Sequence, residues 1–383
     1  MSKKNMYLMY AIACLQGMVF YGPIATLYRQ AQGVSVFEIT LIESISLALC
    51  LLLELPWGIV ADRIGYKRTM VFCCFLYFLS KIIFWRADGF PAFLLERIML
   101  SVVIAGLSGV DTSILYLSVS KEDSQKAFGI YDGLSTAGLL MAAFVYSTAI
   151  GENYRLAGFL TVVSYGLAAV LSFFLSEVKA EEKAEGKERM NIKAFCSSLR
   201  KTLTDQRRLL LLLGIAFLNE THQTVTVFLN QLLYIRAGVP DERIGYLYIV
   251  VTIVGMSGIF SAAVTKKTGR IFLIRACYLI AAAVCLLLAF TKNGWGAAFG
   301  IMALRLAFCL FTPLQTQLQN ERIITAERAT ALSINAVMID SVGVGTNLIY
   351  GAIAEKSLTA ALVSGAALCV VGLALIERGM KRN

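Results

Sequence analysis

Charged residues are scarce in this chain. Only 16% of its 383 residues are Asp, Glu, Lys or Arg, whereas 58% are hydrophobic, and the mean hydropathy is +0.70. A soluble domain has about 25% charged and about 45–50% apolar residues. A soluble core cannot bury so much apolar surface, so we predict that lipid surrounds most of the chain. This composition argues against a soluble enzyme, a nucleic-acid-binding protein and a receptor with a large extramembrane domain.

Residues suited to metal, disulfide or nucleotide chemistry are also few. The chain has one histidine, and none of its nine cysteines forms a CxxC pair. No GxxxxGK[ST] segment occurs, so a P-loop has no basis in the sequence. Scattered cysteines in apolar stretches behave as small packing residues. We therefore predict no metal site, no cofactor and no enzymatic activity.

Long apolar stretches account for most of the sequence. Each has about 18–28 residues, which is enough for a helix to cross a hydrocarbon core of about 30 Å. The twelve predicted spans are 6–28, 36–60, 69–86, 91–118, 127–149, 155–176, 208–235, 243–265, 271–291, 295–319, 328–352 and 358–377. The predicted fold is therefore an all-α integral membrane protein with twelve transmembrane helices.

The basic residues indicate the orientation of these spans. Most of the 35 Lys and Arg residues lie in the two tails and in the alternate loops that share their side of the membrane. By the positive-inside rule, both termini are predicted to be cytoplasmic, in a multi-pass protein of the bacterial cytoplasmic membrane. The net charge of +10 then reports topology and does not indicate a nucleic-acid partner. The first span lacks the features of a cleaved signal peptide, so we expect it to be part of the mature protein.

One polar segment divides the chain into halves of six spans each. We predict a first bundle at 1–176, a cytoplasmic linker at 177–207 and a second bundle at 208–383. The linker is interpreted as a tether, although its residues 191–203 could instead form an amphipathic helix on the inner leaflet. The halves also show a faint repeat: the loop 58–68 corresponds to 266–270, at an offset of 204 residues. Repeats of this kind are typical of secondary transporters.

The loop after the second span carries the most specific motif, G-x-x-x-D-R-x-G-x-K-R. Its residues are Gly58, Asp62, Arg63, Gly65, Lys67 and Arg68. With the helix count, the division into halves and the linker, this motif resembles the major facilitator superfamily over the whole chain. The resemblance implies two six-helix bundles, a monomer, and a conformational latch between this loop and residues 325–328. The alternative is a plain positively charged inner loop.

The loop residues have a physical logic of their own. Gly58 permits close helix packing and Gly65 permits a tight turn. Asp62 can accept hydrogen bonds from the N-terminus of a neighbouring helix, whose free N–H groups carry partial positive charge.

Two shorter segments resemble a drug-efflux-like bacterial branch of the superfamily. They are 54–58 and 108–113. Drug–proton antiporters of the family usually have a Gly-Pro pair in the fifth helix, but the fifth span here has no proline between Gly129 and Gly138. This departure weakens the assignment to antiport.

The seventh span is the most polar. Asn219, Gln223, Thr226 and Asn230 recur at helical spacing and are predicted to share a face. In the family, the first, fourth, seventh and tenth helices line a central cavity, so we expect this face to line it. Interhelical hydrogen bonding is the alternative. His222, on another face, could be a packing residue or a proton carrier.

Ionisable residues at mid-depth are costly in a membrane and therefore mark candidate sites. Glu220, Arg305 and Asp340 are predicted at similar depths. An arginine between two acids could form a structural ion pair. It could equally anchor a substrate, with Glu220 and Asp340 coupling protons to the conformation.

The first half contributes a second set of candidates. Arg97, Ser101, Ser108 and Asp111 are predicted on one stripe of the fourth span. Asp111 and Asp132, which are predicted toward the cytoplasmic side, are further proton-coupling candidates. Lys81 and Glu43 could pair with this set, although a structural role or snorkelling is the other expectation for Lys81. Finally, the residues that indicate a polar cavity wall and helix bends are Gln16, Tyr21, Pro23 and Pro313.

These observations predict a secondary transporter that moves a small organic solute by alternating access. The favoured reading is proton-coupled export of a drug-like or amphiphilic compound, so the expected partners are that small molecule, protons and the bilayer. Proton-coupled or facilitated uptake of a metabolite is the alternative. A membrane sensor that does not transport is a remote alternative, since a sensor usually adds a long soluble tail.

Overall fold

The computed structural model describes residues 3–107, 110–119, 124–178, 204–321 and 328–380, and all regular structure in these ranges is helical. The α-helices in chain order are α1 (Lys3–Gly17), α2 (Ala25–Ala31), α3 (Val36–Ile64), α4 (Tyr66–Arg86), α5 (Gly89–Leu107), α6 (Val110–Ser118), α7 (Ser124–Val145), α8 (Tyr154–Phe173), α9 (Gln206–Gln223), α10 (Asn230–Arg236), α11 (Asp241–Gly255), α12 (Ser261–Thr268), α13 (Arg270–Phe290), α14 (Gly294–Glu321), α15 (Arg328–Lys356) and α16 (Leu358–Met380). Short 3₁₀ turns span Gly22–Ile24 and Met256–Phe260, and π turns span Tyr146–Ile150 and Thr224–Phe228.

Eleven helical segments of the described chain are long and apolar enough to cross a membrane. The predicted seventh span is the one that does not qualify. It is helical, as α9 and α10, but a π turn interrupts it and polar side chains crowd its middle. The polarity that marked this span as a candidate site also removes it from a count based on hydropathy.

Several spans that were predicted as single helices are interrupted. The first breaks between Gly17 and Ala25, where Gly22 and Pro23 form a 3₁₀ turn. Proline lacks the backbone donor that a continuing helix needs, so the bend expected at Pro23 is found. By contrast, α14 runs without interruption through Pro313.

The repeat between the halves is present in the helices themselves. Helices α4 and α13 both contain 21 residues and begin 204 positions apart, and α8 and α16 also begin 204 positions apart. The glycines that precede α4 and α13 share one backbone conformation, with φ 95° at Gly65 and φ 87° at Gly269. That conformation is in the region that glycine tolerates best. The faint sequence repeat therefore reflects two helical halves built on the same plan.

The described chain forms two compact units. One contains the described residues up to 178 together with Asp241–Ile249, and the other contains 204–240 and the described residues from Val250 onward. Most of the predicted linker 177–207, including the segment 191–203, lies outside the described residues. The proposed bundle boundaries therefore stay a prediction.

Glycines bring helices into close contact inside the first unit. A Cβ atom on Gly17 of α1 would lie 2.1 Å from the Ser135 carbonyl oxygen, and one on Gly138 of α7 would lie 2.2 Å from the Cys14 carbonyl oxygen. Such distances are far inside van der Waals contact. Small residues at helix interfaces are the usual means by which membrane helices pack tightly.

We predict that Gly138→Ala lowers the stability of the protein. The added methyl group meets backbone, which cannot move aside as a side chain could, and overpacking of this kind costs about 1–3 kcal/mol. The matched control is Gly133→Ala on the same helix, where an added Cβ meets nothing within 4 Å. Thermal unfolding of both variants in detergent measures the difference, and equal midpoints would contradict the close packing of α1 and α7.

Candidate functional site

The first span of each half is broken at a corresponding position. Helices α2 and α10 each contain seven residues, begin 205 positions apart and follow an irregular segment. Non-helical backbone at membrane depth is tolerated only where it is buried in protein or lines a water-filled cavity. The polar side chains beside these breaks are therefore the first place to look for a site.

Beside the first break lies a network of buried charges. Glu43 of α3 accepts a hydrogen bond from Arg29 of α2 at 3.1 Å and pairs on its other oxygen with Arg97 of α5. Lys81 of α4 donates to Glu96 of α5 at 3.0 Å and to the Tyr21 hydroxyl at 2.9 Å. Four helices of the first unit are thus joined by ion pairs in its interior.

This network has more positive than negative charge. Its three cations are Arg29, Lys81 and Arg97, and its two anions are Glu43 and Glu96. Four of the five side chains are at most 7% exposed, whereas the Arg97 side chain is 24% exposed. The Nε atoms of both arginines are buried without a hydrogen-bond partner. The surplus positive charge is therefore most accessible at Arg97.

The network corrects one expectation and extends another. The possible pairing of Glu43 with Arg97 is found. Lys81 does not snorkel, because it is buried against Glu96 and surrounded by the rings of Tyr21, Tyr77 and Tyr165. Arg29 and Glu96 were missed from the sequence. Arg29 follows the predicted end of the first span, while the available signal for Glu96 was an acid beside Arg97 inside an apolar stretch.

The other candidates of the first half have separate environments. The Gln16 amide donates to the Cys74 thiol at 3.4 Å, and Ser101 shares a hydrogen bond of 2.8 Å with Ser46. The Tyr131 hydroxyl donates to Asp111 at 3.4 Å, whereas Asp132 is exposed. Ser108 lies outside the described residues. The stripe predicted from Arg97 to Asp111 is thus divided between α5 and α6.

In the second unit, His222 of α9 connects the polar side chains around the second break. Its ring is 2% exposed and stacks on Phe308 of α14, with centroids 3.7 Å apart. Arg305 of α14 donates to His222 Nε2 at 3.3 Å, and the Thr226 hydroxyl lies 3.1 Å from the same atom. Arg305 itself packs against Gly255 of α11, where a Cβ would lie 2.7 Å from the guanidinium.

The contact with Arg305 fixes the protonation pattern of the imidazole. A guanidinium has donors only, so His222 Nε2 must accept. The ring is therefore neutral and carries its hydrogen on Nδ1, which is buried without a partner. Arg305 was expected between the acids Glu220 and Asp340, but the hydrogen bond of its guanidinium goes to His222 instead of Glu220.

Glu220 faces a different helix. Its side chain is 8% exposed and lies against Gly343 of α15, where a Cβ would be 2.8 Å from Oε1. Asp340 lies three residues before Gly343 on α15, so it shares that face of the helix. No described cation lies within ion-pair distance of Glu220.

The polar stripe predicted on the seventh span is not a uniform face. Gln223 is exposed, Thr226 and Asn230 are buried, and Asn219 is half-buried. The π turn Thr224–Phe228 changes the angular phase of every residue after it, so the 3.6-residue spacing no longer applies. Thr226, which lies within the turn, contacts the ring and the carbonyl oxygen of His222, and Asn230 accepts from the backbone N–H of Gln231.

The motif loop is described only in part. Gly65 forms the positive-φ turn that was expected, and the Glu177 carboxylate accepts a hydrogen bond from the Lys67 backbone N–H at 3.1 Å. The contacts of Gly58, Asp62 and Arg63 lie outside what the structure describes, as do residues 322–327. The latch therefore stays a prediction.

Comparisons with known proteins give a consistent assignment. Residues 6–347 match the family model described as Major Facilitator Superfamily. An uncharacterized transporter of Buchnera aphidicola subsp. Schizaphis graminum is 28% identical over 121 residues, which are 32% of this chain and 29% of that protein. An uncharacterized MFS-type transporter of Methanocaldococcus jannaschii is 24% identical over 198 residues, which are 50% of each chain. The chain thus matches half or less of the length of these curated relatives.

Solved structures match over nearly the whole chain. The nucleoside transporter NupG has a TM-score of 0.82 at 15% identity and covers 99% of both chains. A D-xylose–proton symporter has a TM-score of 0.71 at 15% identity, over 98% of this chain and 97% of its own. At these identities the likeness shows the fold alone. That fold is the all-helical membrane fold predicted from the sequence.

We predict that Lys81 and Glu96 stabilise the protein only as a pair. Glu96→Met leaves a buried ammonium without its anion, which costs about 3–5 kcal/mol of unfolding free energy. The double variant Lys81→Met with Glu96→Met removes both charges and should recover most of that loss. Thermal midpoints of the two variants in detergent provide the measurement. A double variant no more stable than the single one would show that the ion pair is not the relevant interaction.

Proposed function

Since the chain belongs to the Major Facilitator Superfamily and is a multi-pass membrane protein, we propose that it is a secondary transporter of a small organic solute. The solute crosses the cytoplasmic membrane by alternating access. The observation that carries this proposal is the matched pair of broken helices, at Gly22–Ile24 and at Thr224–Phe228, each beside buried polar side chains. Discontinuous helices at corresponding positions of two halves are a property of transporter binding sites.

The transport step is proposed to be proton-coupled through Glu220 and Asp340. Both acids belong to predicted spans of one unit, and Asp340 shares the face of α15 on which the Glu220 carboxylate rests. An acid that is buried in a membrane protein without a paired cation is a candidate for a proton-carrying group. A proton on Glu220 would also change how α9 packs on α15, since the carboxylate rests directly on Gly343. Proton binding and helix packing are thereby linked.

The solute is proposed to be amphiphilic, with an anionic or hydrogen-bond-accepting group. Arg97 is the most exposed member of a network with surplus positive charge, and Arg305 is only half-buried. Aromatic rings belong to both groups of side chains: Phe84 stacks on Tyr21 beside Arg29 of the network, and Phe308 stacks on His222, which contacts Arg305. Fixed cations beside aromatic surfaces favour a solute that is partly apolar and partly negative.

Export is the direction proposed, on the resemblance of segments 54–58 and 108–113 to drug-efflux-like proteins. Uptake is the second candidate, and a specific observation favours it. The fifth span runs as α7 from Ser124 to Val145 without a proline, unlike the drug–proton antiporters of the family. The structural neighbours named above include a nucleoside transporter and a sugar–proton symporter.

We predict that Glu220→Gln and Asp340→Asn abolish coupled proton movement, because an amide cannot bind the proton that transport requires. The protein is overproduced, everted membrane vesicles are energised, and a quenched pH dye follows the gradient while a panel of compounds is added. In the wild type, an exported compound should discharge the gradient. Either substitution should reduce that discharge at least tenfold, while Glu152→Gln, in a connecting loop, should not.

The same variants separate the possible outcomes. Binding of the compound to purified protein should survive Glu220→Gln if the residue couples protons instead of holding the solute. Compound-driven discharge that persists in both variants would remove these acids from the coupling step. If no compound moves protons in everted vesicles but one does so in right-side-out vesicles, the direction is uptake and the export proposal is wrong.

A further inference from the structure

The outer surface of the first unit has a groove between α4 and α8. Its volume is about 490 Å³. The lining residues are Lys67, Arg68, Val71, Phe72, Phe75 and Phe173. Four apolar side chains therefore form the walls, and two cations stand at one end. No step of the proposed transport cycle uses this groove.

The groove walls are open to the medium around the protein. Phe72, Phe75 and Phe173 are 49%, 46% and 57% exposed. Trp57 of α3 borders the same surface, with its ring centroid 6.0 Å from that of Phe72. On a membrane-spanning helix these rings face hydrocarbon, so the body of the groove suits an acyl chain.

The cations at the end of the groove form no ion pair with any described residue. Lys67 and Arg68 lie in the first turn of α4, and no described acid forms an ion pair with either side chain. The carboxylate of Glu177 is close, but it is engaged by the Lys67 backbone N–H and lies against Gly65. Two side-chain charges therefore stand free beside an apolar groove.

The second unit offers an internal comparison at the same position of the repeat. With the offset of 204 residues, the cations Lys67 and Arg68 correspond to the apolar Ile271 and Phe272. The wall residues Val71 and Phe173 correspond to Arg275 and Glu377, which form an ion pair at 2.6 Å. The second unit thus fills the equivalent position with an ion pair, and it has apolar side chains where the first unit has Lys67 and Arg68. The combination in the first unit is therefore not a general consequence of the fold.

We propose that this groove binds an anionic glycerophospholipid of the surrounding leaflet. Lys67 and Arg68 hold its phosphate, and an acyl chain lies along Val71, Phe72, Phe75 and Phe173. The occupant must be negative at one end and apolar along its length, and the membrane supplies such a molecule at this depth. Basic pockets between membrane helices on the cytoplasmic side recognise anionic head groups in this way. In the predicted orientation, this end of α4 faces the cytoplasm.

Trp57 provides a reporter beside the groove. The other two tryptophans, Trp85 and Trp295, are replaced by phenylalanine, and the full chain is placed in vesicles of phosphatidylcholine and phosphatidylglycerol. Either lipid carries brominated acyl chains in turn, since bromine quenches tryptophan fluorescence at contact. The ratio of quenching by the two brominated lipids at equal mole fraction measures the preference for the anionic head group.

Brominated phosphatidylglycerol should quench Trp57 more strongly than brominated phosphatidylcholine. Replacing Lys67 and Arg68 by glutamine should lower the relative affinity about fivefold for each cation removed. The matched control replaces Lys266 and Lys267 by glutamine, which removes the same charge from the corresponding loop of the second half and should leave the preference unchanged. No preference in the parent protein, or a preference that survives the Lys67 and Arg68 substitutions, overturns the proposal.

A second variant tests the groove itself. Val71→Arg with Phe173→Glu transfers the ion pair of the second unit into the first, and it should abolish selective quenching although both cations at the end remain. Equal thermal midpoints for this variant and the parent show that the fold is intact. Weak quenching by both brominated lipids in the parent would mean that protein covers the groove, either the linker or a second copy, and the lipid proposal would fall.

Discussion

The structure depends on one constraint, which is that a charge within the membrane needs a partner or water. The first unit meets it with ion pairs: Glu43 holds two arginines, and Lys81 is closed in by Glu96. These contacts join four helices, so the polar interior also fixes how those helices pack. The second unit meets the constraint differently, because Arg305 rests on a neutral histidine and Glu220 is buried without a described cation as partner. We propose that a proton supplies the partner that Glu220 lacks.

The internal repeat makes this contrast informative. The third and sixth spans of the two halves, α4 with α13 and α8 with α16, begin at the same offset. The first span of each half is broken at a corresponding position. The chemistry at equivalent positions nevertheless differs: Lys81 corresponds to Cys285 and Val71 to Arg275. The fold is shared, and the functional groups are specific to each half. We infer a division of roles, with fixed charge in the first half and an exchangeable proton in the second.

Much of this could be predicted from the sequence, because apolar length and charge position are local properties. These properties predict the spans, the glycine turn at Gly65 and the ionisable residues within the spans. The choice of partners could not be predicted, since Lys81 finds Glu96 only through the packing of α4 on α5. The π turn at Thr224–Phe228 was also invisible, and it rotates the residues after it away from their expected face. The ion-pair partners and the π turn both depend on tertiary packing, which the spacing of residues in the sequence does not reveal.

Helix α9 is where the proposed proton and solute steps meet. Glu220 and His222 are two residues apart, which places them about 200° apart around the helix axis. One therefore faces α15, where Gly343 receives the carboxylate, and the other faces α14, where Arg305 and Phe308 hold the ring. A proton that changes how α9 packs on α15 would also change the contact between His222 and Arg305. In this proposal the proton and the solute need not touch each other. Helix α9 couples them, because it has polar contacts on two sides and no single position of the helix satisfies all of these contacts.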